Sequence, residues 1–335
     1  MIRAGIIGLG KMGISHCSIL GAHPEVQLVS VCDASKLVIE AFKKHSKYRC
    51  FTDYKEMINT CNLDCVLIAS PTRLHSEMVS YALNHNLHVF CEKPFSLDPV
   101  EGLKLAGQAK RIGCVNQVGY HNRFIATFNE LKRILELNVL GSLYHFTAES
   151  YGPVILKERV GVWRSEKNQG GGCLYDYASH TIDLVSYLFA KPVSVSGTNL
   201  IHIFSKDVED AVYCTLTLQN GLTGQLAVNW SDDTFRKMST QITVMGKGGK
   251  IIADATELKI YLKDDNKELG LSKGWTNKYI TDLTANVNFY LRGEEYSAQI
   301  DHFIKCIMGR KVYCGSSFES ATNTDQVISL LLKNA

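Results

Sequence analysis

Residues 2–13, Ile2-Arg3-Ala4-Gly5-Ile6-Ile7-Gly8-Leu9-Gly10-Lys11-Met12-Gly13, decide the fold. A short apolar run ends in Gly8-Leu9-Gly10-Lys11-Met12-Gly13, a GxGxxG pattern, and Met12–Gly21 continues with helical spacing. Strand, glycine turn and helix in this order form the context in which the pattern holds a dinucleotide. Gly8 makes the tight turn, Gly10 lets the backbone approach a pyrophosphate, and Gly13 lets the helix pack closely on the strand. The helix N-terminus, with Lys11 and Met12 in its first turn, offers N–H groups and a positive dipole end to the anion. A plain glycine-rich turn is the alternative.

Working outward, the first 120 residues alternate short apolar runs with amphipathic segments. Strands are expected at Ile2–Gly8, Val26–Cys32, Cys65–Ser70, His88–Cys91 and Val115–Gly119, with helices at Met12–Gly21, Ser35–His45, His75–Asn84 and Pro99–Ile112. Such alternation implies parallel pairing with right-handed crossovers, a doubly wound sheet. Runs such as Val66-Leu67-Ile68-Ala69 are apolar on both faces, as a strand covered on both sides must be. Asp33 ends the second strand 20 residues past Gly13, where a carboxylate accepts from the adenosine ribose hydroxyls. It repels a 2′-phosphate, so NAD is favoured over NADP; Ser35 and Lys36 keep NADP open. Asp33 also fits a helix N-cap.

After about residue 120 the pattern changes. Alternating segments at Leu143–Tyr151, Val193–Ile203, Ala211–Gln219, Leu222–Trp230, Met238–Met245, Lys250–Asp254 and Leu258–Lys263 imply a mostly antiparallel sheet. Asn220-Gly221 reads as a two-residue hairpin turn. Gly246–Gly249 is another tight turn, with phosphate binding as its lesser reading because no helix follows. Two helices, Glu294–Met308 and Ser317–Lys333, finish the chain. The division expected is a dinucleotide-binding domain over 1–120 and an α+β substrate-binding and oligomerisation domain over 121–335.

The chain has 335 residues, 45% hydrophobic and 21% charged, with 36 Lys and Arg against 33 Asp and Glu. A net charge of +3 argues against nucleic-acid or polybasic membrane partners. No apolar run approaches the ~18–20 residues that span a bilayer. The first residues form a strand without a basic n-region, so a secretory signal is not expected. The eleven cysteines show no zinc spacing or disulfide framework, and are read as buried thiols of a cytoplasmic protein without a metal.

Glu92-Lys93-Pro94 directly follows an expected strand, and ligands of open α/β sheets sit at the carboxyl ends of strands. Pro94 restricts Lys93 to extended geometry. In Gly170-Gly171-Gly172-Cys173-Leu174-Tyr175-Asp176-Tyr177-Ala178-Ser179-His180-Thr181-Ile182-Asp183-Leu184, helical spacing puts Asp176, His180 and Asp183 on one face. A surface Asp–His pair is the alternative.

Together AGIIGLGKMG at the start, ASPTRLH at 69–75, CEKP at 91–94 and GGGCLYDYASHTIDL at 170–184 resemble the Gfo/Idh/MocA family. The resemblance implies an N-terminal doubly wound Rossmann domain and a C-terminal domain on a large, mostly antiparallel open sheet. It implies an NAD(P)-dependent dehydrogenase or reductase acting on a polyol, sugar or nucleotide sugar. Lys93 would contact the reacting hydroxyl and the nicotinamide ribose, with Asp176 and His180 completing the site. Ser70, Pro71, Thr72, His75 and Glu92 would join Gly8, Gly10, Lys11, Met12, Gly13 and Asp33 around the cofactor. The family's Pro-Asn appears here as Pro71-Thr72, which puts the Thr72 contact in doubt, and Ala178 stands where the family has Gly.

Oxidising a secondary alcohol removes a hydride from carbon and a proton from oxygen. The cofactor takes the hydride. His180 is the candidate base, because the unperturbed pKa of a histidine side chain, about 6.5, lies near the working pH. Lys93 as a cation stabilises developing alkoxide charge, and Asp176 orients. The roles of Lys93 and His180 can be exchanged. Substrate contacts are expected from Tyr120, Asn122, Arg123, Trp163, Arg164, Asp176 and His180. Phe289–Glu295 is similar to a segment of family members that oxidise nucleotide sugars, and Arg292 there is expected on a diphosphate. The substrate favoured is a nucleotide sugar such as UDP-N-acetylglucosamine, oxidised at C3. Alternatives are a polyol or inositol dehydrogenase, a small-carbonyl reductase and a non-catalytic NAD-binding regulator. A homodimer or homotetramer is expected through the polar face of the second sheet.

Overall fold

The computed structural model describes residues 1–159, 161–284, 294–311 and 315–335. The first elements are β1 (Ile2–Ile7), α1 (Lys11–Ala22), β2 (Val26–Cys32), α2 (Lys36–His45), β3 (Arg49–Phe51), α3 (Tyr54–Thr60), β4 (Cys65–Ile68), α4 (His75–Asn84), β5 (His88–Cys91), α5 (Pro99–Ile112) and β6 (Asn116–Val118). They are followed by α6 (Ala126–Glu136), β7 (Leu143–Tyr151), α7 (Ser179–Leu188), β8 (Pro192–Ile201), β9 (Ala211–Leu218) and β10 (Thr223–Asn229). The chain continues with β11 (Ser239–Gly246), β12 (Gly249–Asp254), β13 (Glu257–Leu262), β14 (Gly274–Tyr279), α8 (Ile280–Leu283), α9 (Glu294–Ile307) and α10 (Phe318–Asn334).

The chain forms two compact units. The first contains Met1–His121 and the described part of Asn286–Asp325; the second contains Asn122–Ala285 and Gln326–Ala335. The second unit is therefore not one continuous stretch from 121 to 335. The cause lies in α9, whose Ile300, Phe303 and Ile304 are buried with α1 and the strands of the first unit.

In the first unit the strand order is β3-β2-β1-β4-β5-β6, with every pairing parallel. Successive residues of the inner strands enter opposite cores. Cys65 and Leu67 face the cluster of α1 and α9, while Val66 and Ile68 face that of α3, α4 and α5. A strand buried on both faces needs an unbroken apolar run, which is how β4 reads. Each such side chain contributes about 1.5–3 kcal/mol when fully buried. The helices are punctuated by local chemistry. Ser35 accepts from Val38 N at the start of α2, Asp98 accepts from Val100 N before Pro99, and left-handed Gly113 ends α5.

In the second unit the order is β14-β13-β12-β11-β7-β10-β9-β8, antiparallel except for β7 beside β10. Alternate residues such as Val212, Cys214, Leu216 and Leu218 face a core that includes Phe128, Leu131 and Ile134 of α6, Ile182 and Val185 of α7, and Val327, Ile328 and Leu331 of α10. The Asn220-Gly221 turn is longer than the two-residue form. Leu218 N donates to Leu222 O across three residues, with Gly221 at φ 82. Strand β14 has no counterpart in the sequence reading. Its Thr276, Asn277 and Lys278 are polar on both sides, as an edge strand tolerates. Cys17, Cys32, Cys50, Cys61, Cys65, Cys91, Cys114, Cys173, Cys214 and Cys306 form no disulfides. Among the described residues no helix is long and apolar enough to cross a membrane, and no His, Cys, Asp and Glu group could hold a metal.

Candidate active site

The carboxyl ends of the first unit's strands carry the glycine turn, Asp33, Ser70–Thr72 and Glu92-Lys93. β1 lies between β2 and β4, the point at which the strand order reverses and where sheets of this kind place their ligand crevice. Gly8 has φ 95, and a Cβ there would lie 2.6 Å from Ala69 O; a Cβ on Gly13 would collide with Gly8 O. At Gly10 a Cβ would meet nothing within 4 Å, which leaves open space at the start of α1. No side chain caps that helix end. The Asp33 carboxylate accepts from Leu9 N at 2.7 Å and Ser35 N at 2.8 Å, which aims it while leaving lone pairs for a ribose. The Ser70 hydroxyl is buried and has no hydrogen-bond partner among the described residues. Open space at an uncapped helix start, an aimed carboxylate and an orphaned hydroxyl fit a dinucleotide. Lys11 is exposed, Met12 half-buried and Pro71 exposed, while Thr72 is buried in the turn before α4.

His75 was expected beside the cofactor. Its ring lies between two backbone carbonyls, Nδ1 3.0 Å from Pro94 O and Nε2 3.0 Å from Ser70 O. It joins the loop after β4 to the loop after β5. Burial holds its pKa below the ordinary value, against the pull of the two carbonyls. Glu92 is also internal: its Oε1 is 2.6 Å from His16 Nε2 and its Oε2 accepts from Lys93 N at 3.2 Å. Burial opposes its charge, but the His16 hydrogen bond and the nearby Lys93 cation keep its pKa below the ordinary carboxylate value. Lys93 follows β5 by two residues.

In the second unit, the three glycines before Cys173 let the following segment fold back closely. A Cβ on Gly171 would lie 2.5 Å from Arg164 O, and left-handed Gly172, φ 103, leaves room for the Glu209 carboxylate. Glu209 holds the start of the segment: its carbonyl accepts from Cys173 N, and its Oε1 accepts from Leu174 N at 2.7 Å. Burial pushes this carboxyl up. Leu174–Ala178 then forms one π turn before α7, a widening often found at functional sites. Asp176 and His180 are 8% and 4% exposed.

Arg164 Nε donates to Asp176 Oδ2 at 3.0 Å, and the guanidinium lies 4.5 Å from the centre of the half-exposed Trp163 ring. Arg164 is thus tied to the carboxylate read as an orienter. Arg123, expected on the substrate, directs its fork to Asp183. Asp183, expected on one face with Asp176 and His180, is wholly buried, as is every residue of α7 from Ser179 to Val185. Tyr120, also expected on the substrate, is wholly buried in the first unit's core. Asn122 is 2% exposed, with Nδ2 unpartnered among the described residues. Arg292 lies outside the described residues.

Residues 2–120 match the oxidoreductase family with an NAD-binding Rossmann fold, GFO_IDH_MocA, and residues 128–252 match the GFO/IDH/MocA C-terminal domain. The chain belongs to the GFO/IDH/MocA oxidoreductase family. D-Glucoside 3-dehydrogenase of Escherichia coli (strain K12) is 28% identical over 291 residues, 80% of this chain and 80% of that protein. Myo-inositol 2-dehydrogenase of Thermotoga maritima is 27% identical over 278 residues, 80% of each chain. The solved structure of levoglucosan dehydrogenase with NADH and levoglucosan superposes with a TM-score of 0.87 at 20% identity, over 100% of this chain and 97% of that one; this likeness concerns the fold.

In this GFO/IDH/MocA oxidoreductase, sequence reasoning missed His16 and Glu209. His16 lies three residues after Gly13, one helical turn along α1, which was a usable signal. Glu209 gave none, because its partner Leu174 is 35 residues away in the chain.

Proposed function

We propose that the protein is an NAD-dependent dehydrogenase that oxidises a secondary ring hydroxyl of a sugar, with C3 of a gluco-configured pyranose as the favoured position. A nucleotide sugar such as UDP-N-acetylglucosamine is the substrate form to test first. The observation that carries the reading is the place of Lys93. It sits just beyond β5, on the strand edge that also carries the glycine turn and Asp33. The relationship to a D-glucoside 3-dehydrogenase supports C3. The similar identity to a myo-inositol 2-dehydrogenase favours a cyclic polyol as the second reading.

When bound, nicotinamide supplies the two-electron acceptor for the hydride. His180 takes the hydroxyl proton, imidazole being the side chain that most often serves as a general base. The Lys93 ammonium stabilises the negative charge that develops on the same oxygen. Asp176, tied by Arg164, orients a neighbouring hydroxyl. Trp163 and Arg164 supply a flat face and a cation for the rest of the sugar. Asn122 offers its amide to a substrate oxygen. Asp33 receives the adenosine ribose, which makes NAD the cofactor in preference to NADP.

The experiment is a screen of UDP-sugars, free sugars, glucosides and inositols by NADH absorbance, with a 2-oxo acid added as acceptor in case the cofactor stays bound. NADH formation from a pyranose supports the reading. Formation from inositol alone moves it to the polyol. Formation from none removes it.

The same reading includes self-association through the face of the eight-stranded sheet opposite its core. Tyr213, Trp275 and Tyr279 are 36%, 58% and 50% exposed there, and large aromatics suit an interface. A dimer or tetramer by gel filtration with light scattering is expected; a monomer at micromolar concentration contradicts it.

A further inference from the structure

We propose that His16 is a positioning residue for the reaction, fixing the backbone at Lys93 through the Glu92 carboxylate. This rests on the reading of Lys93 given above. His16 is completely buried on α1, and its Nε2 is 2.6 Å from Glu92 Oε1. An ionised carboxylate only accepts, so Nε2 carries the hydrogen. The other oxygen, Oε2, accepts from the N–H of Lys93 at 3.2 Å. One carboxylate, 76 positions beyond His16, therefore joins a helix to the backbone of the residue that follows it, Lys93.

The surroundings are shaped to hold this carboxylate. A Cβ on Gly119 would lie 2.8 Å from Oε2 and 3.0 Å from Oε1 and Cδ, so glycine alone leaves the space. The imidazole packs edge-on against Phe90, with ring centres 5.2 Å apart at 70°. Phe90 in turn meets Phe303 at 6.0 Å. Neither end of the bridge can swing without disturbing a packed core.

The geometry has a consequence for catalysis. His16 lies one turn into the helix whose first residues carry the glycine turn. The element that receives the pyrophosphate is thus also the element that holds the Lys93 turn. The separation of the glycine turn from the Lys93 backbone is set by a helix in a packed core rather than by two independent loops. A misplacement of about 1 Å at a reacting group costs on the order of 100-fold in rate.

The test compares His16→Leu, which keeps bulk and removes the donor, with His16→Gln, which returns an N–H close to the position of Nε2. Three readouts are taken: NADH affinity by fluorescence, hydrogen exchange of the peptide 88–96 without cofactor, and kcat and KM on the substrate that the wild type oxidises. His16→Leu is expected to lower kcat about 100-fold with KM within about 3-fold, and to speed exchange at 91–96 at least about tenfold. His16→Gln is expected to recover most of both. A folded His16→Leu with kcat and exchange within about 3-fold of wild type overturns the proposal. Equal impairment of the Gln and Leu variants also overturns it, since that marks a packing role alone.

If His16→Leu does not fold, Gly119→Ala takes its place. Its Cβ displaces the carboxylate, so kcat is expected to fall while NADH binding persists; unchanged kcat and exchange overturn the proposal. If the wild type oxidises no sugar or polyol, the functional reading fails. The exchange experiment still decides whether His16 orders the Lys93 turn.

Discussion

Arg123 donates to both oxygens of Asp183, from Nε at 2.7 Å and from Nη2 at 2.6 Å, and the side chains are only 5% and 0% exposed. The pair links the start of the second unit to the middle of α7, the helix that carries His180. Removing one partner leaves a buried charge without its counterion. Asp183→Ala is expected to lower stability by about 3–5 kcal/mol, measured by urea denaturation. The double variant Arg123→Met/Asp183→Leu should recover much of that loss. A single-variant loss below about 1 kcal/mol would show that the pair is dispensable.

Asp33 takes N–H groups from Leu9 and Ser35 and keeps lone pairs for a ribose. Hydrogen bonds to a charged group contribute about 1.5–3 kcal/mol, so Asp33→Ala should weaken NADH binding about 10–100-fold. Wild type should bind NADH more tightly than NADPH. Equal fluorescence titrations for the two cofactors would contradict the role given to this carboxylate.

Acidification should destabilise the fold before its carboxylates titrate. Burial lowers the pKa of both His75 and His88. His88 Nδ1 also accepts from Val115 N at 2.9 Å, a bond that protonation at this nitrogen would break. The unfolded chain therefore binds more protons as pH falls through the ordinary histidine value of about 6.5, and stability falls with it. Each histidine contributes a slope of up to about 1.4 kcal/mol per pH unit. Urea midpoints at pH 7.5 and 5.5 test this, with a flatter dependence expected for His88→Gln. A midpoint that rises on acidification would reverse the assigned direction.

The parallel sheet was legible because its inner strands, β4 above all, are apolar on both faces and are followed by amphipathic segments. The glycine turn was legible because its spacing answers a backbone requirement, seen in the clash that a Cβ on Gly13 would make with Gly8 O. Strand β14 was not, since its polar sequence has the composition of a loop. Tyr120 and Arg123 carry aromatic and guanidinium groups of the kind that bind sugars and anions. Sequence could not reveal that one fills a core and the other meets a carboxylate 60 residues away. His16 and Glu92 posed the same difficulty at a separation of 76 residues. Local periodicity exposes elements, whereas pairing between distant polar groups exists only once the fold has brought them together.

We propose that Lys93 and His180 together serve alcohol oxidation by NAD. The most direct measurement is single-turnover NADH formation from the sugar or polyol that the screen identifies, in wild type, Lys93→Met and His180→Ala. Rates lower by about 10²–10⁴-fold are expected in both variants, with NADH still bound. Rates close to wild type in both would contradict it.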